Sequence, residues 1–244
     1  MVAAREALTV IRGMLPDNHR DSAYRQYKNI VTTLAANRRL LEIGAGRRPL
    51  LTPEEIKERN IRYTANDIIQ NELDLIPFPV EKAAFDSCGA IPPEYTDCFD
   101  VICSKMVQEH VSNGKKFYGN ILRLLSNGGV ALNFHPPLYS LPFLINRAFP
   151  EHLTGAVLRL FRPERSSDNI PKFPAKYELC YSLAATANFI DKIGFSAVHI
   201  IPFYHHEYFA GIPGLRALDS ALSAWACRRN VRAFSSYAFT VVIK

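Results

Sequence analysis

The residues best suited to binding a ligand form one short segment, in which an apolar run and an acid are followed by two glycines. The segment is Leu40-Leu41-Glu42-Ile43-Gly44-Ala45-Gly46. Glycine lets the backbone turn sharply and lets a ligand approach without a Cβ in its path, and the acid can accept hydrogen bonds from a cationic or hydroxylated ligand. The pattern predicts a buried strand that ends in a ligand-binding turn; a tight turn that binds nothing is the alternative.

Two further acids follow later predicted strands. Asp67 comes after the apolar run at residues 61–65, where an acid could hold the two hydroxyls of a ribose. Capping of the next helix is the alternative for Asp67. Asp86 and Ser87 follow a predicted third strand and could contact the edge of an adenine ring, although a plain turn fits them nearly as well.

Two histidines could act as general bases. His110 follows the predicted fourth strand, residues 98–104, and His135 follows the predicted fifth strand, residues 130–134. Ligands bind at the carboxyl ends of strands in such sheets, and a histidine of near-neutral pKa can remove a proton there. His135 is favoured because it opens a proline-rich segment. A histidine that only hydrogen-bonds a loop is the alternative for each.

Strands and helices alternate at short spacing over residues 38–134, which is typical of a parallel sheet covered by helices. The last predicted strand, residues 233–243, follows a helix and a hairpin-like return, which suits an antiparallel strand at the sheet edge. The predicted fold is α/β: a Rossmann-like doubly wound sheet, mostly parallel with an antiparallel last strand, helices on both faces and an inserted helical cap. We expect one domain over residues 1–244, and its expected parts are an N-terminal helical cover (1–37), a cofactor-binding half (38–134), a substrate cap (135–176) and the C-terminal part of the sheet (177–244).

The predicted cap at residues 135–176 is rich in prolines but too apolar to be disordered. One helical face within it is apolar and consists of Leu153, Ala156, Val157, Leu160 and Phe161. Packing of this face on the core is favoured over contact with a membrane surface. Scattered basic residues suit an amphiphilic or anionic small molecule, and they are Arg147, Arg159, Arg162, Lys172 and Lys176.

Several other classes of protein do not fit the sequence. The net charge is +6, but no basic run carries interleaved aromatics, so nucleic acid is not a predicted partner. The five cysteines form no Cys-x-x-Cys pair, which favours free thiols in a reducing cytoplasm. Arg5 and Arg12 interrupt the N-terminal apolar run, so it does not match a secretory signal. The run His205-His206-Glu207 does not predict a metal site, because adjacent residues point in different directions.

The glycine-turn segment resembles the first motif of class I S-adenosylmethionine-dependent methyltransferases, of the type 11-like group. The other motifs of this family follow in its order and at roughly its spacing, and they are Asp67, Asp86, Phe99-Asp100-Val101-Ile102, Glu109-His110-Val111 and Leu125-Ser126-Asn127-Gly128-Gly129. The resemblance covers residues 38–134. It implies S-adenosylmethionine as the cofactor and S-adenosylhomocysteine as the product.

The resemblance also implies which residues hold the methionine part of the cofactor. The turn residues Gly44, Ala45 and Gly46 would lie against it, with Glu42 near the amino group. Ser104 and Lys105, just past the fourth strand, would line the same side through backbone groups. The turn departs from the family pattern at Arg48, where a third glycine is common, and Arg47-Arg48-Pro49 makes it stiffer and more basic.

On the nucleoside side, the resemblance places Asp67 on the ribose hydroxyls and Ile68 against the adenine. Asp86 and Ser87 would meet the edge of the adenine ring. The loop at residues 71–83 is longer and more proline-rich than the family pattern.

The implied function is methyl transfer to a small molecule, with an oxygen acceptor on a sugar, a lipid-linked intermediate or a secondary metabolite. Ser104-Lys105-Met106-Val107 stands where enzymes that methylate amino groups of nucleic acid or protein carry Asn/Asp-Pro-Pro-Tyr/Phe. A nicotinamide-dependent dehydrogenase would want Gly-x-Gly-x-x-Gly, but position 49 is proline. A non-catalytic protein of the same fold, binding a partner through the apolar cap, is the other alternative, and cofactor affinity distinguishes it.

Overall fold

The computed structural model describes residues 2–15, 23–137, 173–176, 178–180, 183–206, 209, 211 and 213–244. Its helices are α1 (Val2–Met14), α2 (Ala23–Leu34), α3 (Pro53–Glu58), α4 (Gln70–Asp74), α5 (Gly114–Leu124), α6 (Leu183–Asp191) and α7 (Pro213–Arg229). Its strands are β1 (Arg39–Ile43), β2 (Arg62–Asp67), β3 (Glu81–Ala84), β4 (Phe99–Lys105), β5 (Leu125–His135), β6 (Ala197–Phe203) and β7 (Tyr237–Ile243). A short 3-10 turn, Gln108–His110, follows β4.

These strands form one sheet in the order β3-β2-β1-β4-β5-β7-β6. The first five along this order are parallel, and β7 runs antiparallel to both of its neighbours. The predicted doubly wound sheet with an antiparallel last strand is therefore confirmed.

The predicted place of the last strand at the sheet edge is wrong. β7 lies between β5 and β6, and every one of its residues is buried. Its nearly continuous apolar sequence suits a strand that is covered on both faces. The edge belongs to β6, which is more exposed and contains Pro202, a residue that cannot donate a ladder hydrogen bond.

Helices cover both faces of the sheet, as the sequence predicts. Leu40 of β1 packs with buried residues of α1 and α2 on one face. Its neighbours Leu41 and Ile43 pack with α5 and α6 on the other face. The alternation follows from the two-residue period of a strand and divides the core into two layers.

Several boundaries differ from the prediction, and those of β3 and β4 affect the candidate site. β3 ends at Ala84, before the predicted strand end at residues 85–89, and only Ala83 within it is buried. Such a polar edge strand lacks the apolar run by which strands are recognised. β4 is shifted by one residue from the predicted range 98–104, so Lys105 is its last residue rather than the residue after it.

Most of the predicted cap, residues 138–172, lies outside the described residues, as do its apolar helical face and four of its five basic residues. His135 belongs to β5 rather than to a cap. No helix among the described residues combines the length and the apolarity that crossing a bilayer requires.

Tyr27 attaches α2 to the centre of the sheet. Its side chain is fully buried and packs against Phe134 and Phe239, with 5.4 Å between ring centroids in both cases. Its hydroxyl lies 2.7 Å from the carbonyl oxygen of Ser104 and 2.9 Å from that of Leu132. The structure therefore shows Tyr27 as a residue of the core.

We expect Tyr27→Phe to lower the free energy of unfolding by about 1–2 kcal/mol, because the variant loses a buried hydrogen bond while it keeps the ring. Urea denaturation followed by circular dichroism measures the difference. Tyr95→Phe is the control, since this tyrosine is only partly buried, and it should cost less. Equal losses in the two variants would contradict the role given to the Tyr27 hydroxyl.

Candidate functional site

The candidate site lies where β1, β2 and β4 end side by side. Ile43, the last residue of β1, is in register with Asn66 of β2 and with Ser104 of β4. Because the three strands are parallel, the segments that follow them meet at one edge of the sheet, where ligands bind in such folds.

The glycine turn has a backbone that requires glycine. Gly44 has φ 74° and Gly46 has φ 52°, both in the left-handed region. A Cβ on Gly44 would collide with the side chain of Val107, which follows β4. The turn and the segment after β4 are therefore in direct contact.

Glu42 links the segment after this turn to β2. Its Oε2 accepts the Leu50 N–H at 2.8 Å and also accepts the hydroxyl of Tyr63. The side chain is buried, and burial raises the pKa of its carboxyl. The donors that it meets here belong to the protein, and its implied place near the cofactor amino group stays a prediction.

Asp67 joins the end of β2 to the glycine turn. One carboxylate oxygen accepts the Gly46 N–H at 3.0 Å and the other accepts the Ile69 N–H at 2.9 Å. Each oxygen keeps a second acceptor position, so the partly exposed carboxylate can still receive two hydroxyl donors. Ile68 beside it is 54% exposed, which leaves an apolar side chain next to an acid.

Asp86 and Ser87 follow β3, and both have hydrogen-bond partners within the protein. Asn66 donates to the carbonyl of Phe85 at 3.0 Å, which ties the chain after β3 to the end of β2. The exposed Asp86 accepts the Cys88 N–H at 2.8 Å, and the Ser87 carbonyl accepts an Asn120 side-chain N–H at 2.9 Å. Their contact with an adenine stays a prediction.

Ser104 and Lys105 stand at the end of β4. Ser104 is fully buried; its hydroxyl donates to Asn133 at 2.8 Å, and its carbonyl accepts the Tyr27 hydroxyl. The Lys105 ammonium lies 5.0 Å from the centre of the Tyr24 ring, and partial burial lowers its pKa. The hydroxyl and the carbonyl of Ser104 thus both have hydrogen-bond partners within the protein.

The basic turn after Gly46 is fixed by an ion pair that the sequence did not reveal. Arg47 donates through Nε and Nη2 to the two oxygens of Glu72 on α4, both at 2.6 Å. This forked geometry is the strong form of an arginine–carboxylate pair. It ties the turn to α4 and offsets one of its two positive charges.

The two candidate bases have different surroundings. His135 is fully buried, with Nε2 2.9 Å from the Thr240 hydroxyl and Nδ1 3.7 Å from the Cys180 sulfur, and burial lowers its pKa to about 4. His110 is partly exposed, with Nδ1 3.3 Å from the carbonyl oxygen of Pro174, and burial also lowers its pKa. Since a carbonyl only accepts, this contact puts the proton on Nδ1 and leaves a lone pair on Nε2.

Sequence reasoning did not assign a role to Tyr63, Glu72 or Glu109. Tyr63 and Glu72 act through partners on other elements, and no local pattern marks them. Glu109 belongs to one of the motifs of the resemblance, but only the three-dimensional structure reveals that it is buried and that its Oε2 has no partner among the described residues. Among the described residues, no group of histidines, cysteines and acids is arranged to hold a metal ion.

No protein-family model and no curated protein sequence matches the chain. Solved structures do. A S-adenosylmethionine-dependent methyltransferase from Archaeoglobus fulgidus has a TM-score of 0.52 at 17% identity, over 89% of this chain and 94% of that one. Phosphoethanolamine N-methyltransferase 2 from Haemonchus contortus, in complex with phosphomonomethylethanolamine and S-adenosylhomocysteine, has a TM-score of 0.56 at 13% identity, over 100% of this chain and 61% of that one.

A third similar structure is the [4+2]-cyclase SpnF, with a TM-score of 0.50 at 14% identity, over 99% of this chain and 93% of that one. Similarity at this level of identity shows the fold, and a cyclase among the matches means that the chemistry must be argued from the site. The fold of this chain is that of the class I S-adenosylmethionine-dependent methyltransferases.

Proposed function

We propose that this protein is a S-adenosylmethionine-dependent methyltransferase that acts on a small molecule. The observation that carries the proposal is the unit formed by Asp67 and Gly46, in which the acid of one strand accepts the N–H of the neighbouring strand's glycine turn. A nucleoside needs an acid for its ribose beside an apolar surface for its base, and Asp67 next to the exposed Ile68 offers both.

The residues at this edge fit the cofactor. Gly44 and Gly46 leave a turn without side chains for the methionine part, beside Ala45 and the backbone of Lys105. Glu42 fixes the turn beneath it. When bound, S-adenosylmethionine supplies a methyl group on a positively charged sulfur. The nearby acids favour such a cation, and the pairing of Arg47 with Glu72 reduces repulsion from the turn.

The site residues would act mainly by alignment and by excluding water, because methyl transfer is an in-line displacement. An oxygen acceptor must also lose a proton. We assign that step to His110 rather than to His135, because His110 Nε2 carries a lone pair on a partly exposed ring. His135 is fully buried between Thr240 and Cys180, and its low pKa makes it a weak base.

We further propose that the methyl acceptor is a hydroxyl group of a sugar, of a lipid-linked intermediate or of a secondary metabolite. Support comes from Ser104-Lys105-Met106-Val107, which lacks the signature of enzymes that methylate amino groups of nucleic acid or protein. The Haemonchus contortus N-methyltransferase, which is in complex with phosphomonomethylethanolamine, is consistent with a small-molecule acceptor but not specifically with a hydroxyl. The predicted cytoplasmic location stays a prediction.

We expect Asp67→Asn to weaken binding of S-adenosylmethionine and S-adenosylhomocysteine by about 10-fold to 100-fold, because the ribose loses a charge-assisted hydrogen bond. Isothermal titration calorimetry measures both dissociation constants, with NAD as a ligand control. Asp74→Asn is the matched variant, since Asp74 is an exposed acid on α4 that pairs only with Gln70 among the described contacts, and it should bind normally. Binding of neither ligand to the unmodified protein would favour the non-catalytic alternative.

We expect His110→Gln to lower kcat by about 10²-fold to 10⁴-fold, as loss of a general base does, while binding of S-adenosylhomocysteine stays unchanged. Burial lowers the pKa of His110 from the ordinary histidine value of 6.5. The activity of the unmodified protein should therefore fall only when the pH drops below 6.5, as the ring becomes protonated. Transfer of labelled methyl groups to the acceptor, followed against pH, tests both statements. A variant that retains that acid-side fall in rate would show that another group titrates there.

A further inference from the structure

Glu109 is a buried acid that the proposed mechanism does not use. It follows β4 in the turn Gln108–His110 and is 5% exposed. Within the described parts of the chain, no group donates a hydrogen bond to its Oε2. Buried polar side chains nearly always have a partner, so this oxygen calls for an explanation.

Poor packing of polar groups in this region is not the explanation, because the neighbouring network is satisfied. The Tyr118 hydroxyl donates to Gln108 at 2.7 Å and lies 3.4 Å from the Asn133 amide that donates to it. The Gln108 amide donates to the Leu179 carbonyl at 3.2 Å. The side chain directly before Glu109 thus uses both its donor and its acceptor ends.

The position of Glu109 connects the cofactor turn to the chain that returns from the predicted cap. Val107, two residues earlier, touches Gly44 of the glycine turn. The Glu109 carbonyl accepts the Lys176 N–H at 2.7 Å, and the next residue, His110, contacts the Pro174 carbonyl. The unpaired acid therefore lies between the cofactor side and the segment expected to shape the acceptor site.

Burial raises the pKa of Glu109 to about 8, so its carboxyl is mostly neutral at pH 7. The titratable groups connected with this position are Cys180, whose pKa burial and Glu109 raise; His135, which contacts Cys180; His110, the next residue; and Lys176, whose N–H the Glu109 carbonyl accepts. Burial lowers the pKa of both histidines, which favours their neutral forms, and the side chain of Lys176 is exposed. A neutral carboxyl still offers one acceptor oxygen, and a hydroxyl or ammonium from outside the protein would supply its missing donor; a bound ammonium would also favour the ionised form of Glu109.

We propose that Glu109 is an acceptor-binding residue, whose side chain takes a hydrogen bond from a hydroxyl or a protonated amine of the methyl acceptor. The proposal rests on the function proposed above and adds to it a group that the acceptor must carry. A glutamine at this position keeps an oxygen that accepts from a hydroxyl but lacks the charge that pairs with an ammonium, so Glu109→Gln distinguishes the two donors.

The first measurement is the melting temperature of the unmodified protein and of Glu109→Gln against pH, without an acceptor. The unfolded chain ionises this acid above its ordinary pKa of 4.5, whereas the folded chain does so only near 8. The two proteins should melt alike at pH 4.5, and the variant should melt about 10 °C higher at pH 7.5. Glu58→Gln is the control, because Glu58 is an exposed acid at the end of α3, and it should show no such divergence.

The second measurement is transfer of labelled methyl groups from S-adenosylmethionine to paired probes that differ in one donor: ethanolamine with ethylene glycol, and glucosamine with glucose. For an amine acceptor, Glu109→Gln should lower kcat/KM by about 100-fold or more; for a hydroxyl acceptor, by about 10-fold. Binding of S-adenosylhomocysteine should change by less than about twofold, since Glu109 has no place in the cofactor turn.

Agreement of both measurements supports the proposal. A variant that melts lower than the unmodified protein at pH 7.5 would show that Glu109 has a structural partner, and the proposal would fail. Equal kcat/KM in the two proteins for a methylated probe would also overturn it. Cofactor binding without transfer to any probe would instead reject methylation of small hydroxyl and amine acceptors, and the inference about Glu109 would fall with it.

Discussion

The buried carboxylate of Glu42 is the interaction on which the site depends. Through one oxygen it receives the N–H of Leu50, on the far side of the glycine turn, and the hydroxyl of Tyr63 on β2. A buried carboxyl without donors would be costly, and its raised pKa records what remains of that cost. The donors make the burial tolerable, and in return the turn, β1 and β2 are held in one arrangement.

The same edge is fixed by two more carboxylates, each of which ties a different pair of elements. Asp67 binds the turn to the end of β2, and Glu72 binds it to α4 through Arg47. Where the family pattern has a flexible third glycine, this chain thus has a turn that the bidentate pair of Arg47 and Glu72 holds in place. A turn that is already held in place loses little freedom when a ligand binds, which favours affinity. The departure at positions 47–49 is therefore compatible with cofactor binding.

Much of this could be predicted, because it rests on local patterns. Short stretches of sequence determine the apolar run before Gly44, the left-handed glycines and the alternation of strands and helices. Together they indicate a doubly wound, mostly parallel sheet. The position of β7 within the sheet could not be predicted from its own sequence. An apolar strand can lie in the interior of a sheet or at an edge that another segment of the chain covers. The position of β3 was predicted wrongly because three of its four residues are exposed, so the strand has no apolar run. The pairing of Arg47 with Glu72 joins residues on separate elements, and no spacing rule indicates it.

The two sides of the site differ in what holds them, and this difference explains why the cofactor is easier to infer than the acceptor. On the cofactor side, Glu42 and Asp67 accept backbone N–H groups of the strand-and-turn geometry that the fold itself supplies. On the other side, the Glu109 carbonyl accepts the Lys176 N–H, and one side-chain oxygen of Glu109 has no donor among the described residues. A fold can specify its backbone donors for any sequence that adopts it. In the proposal that Glu109 binds the methyl acceptor, the missing donor comes from that molecule, so a side chain of this particular chain, rather than the sheet, identifies the acceptor.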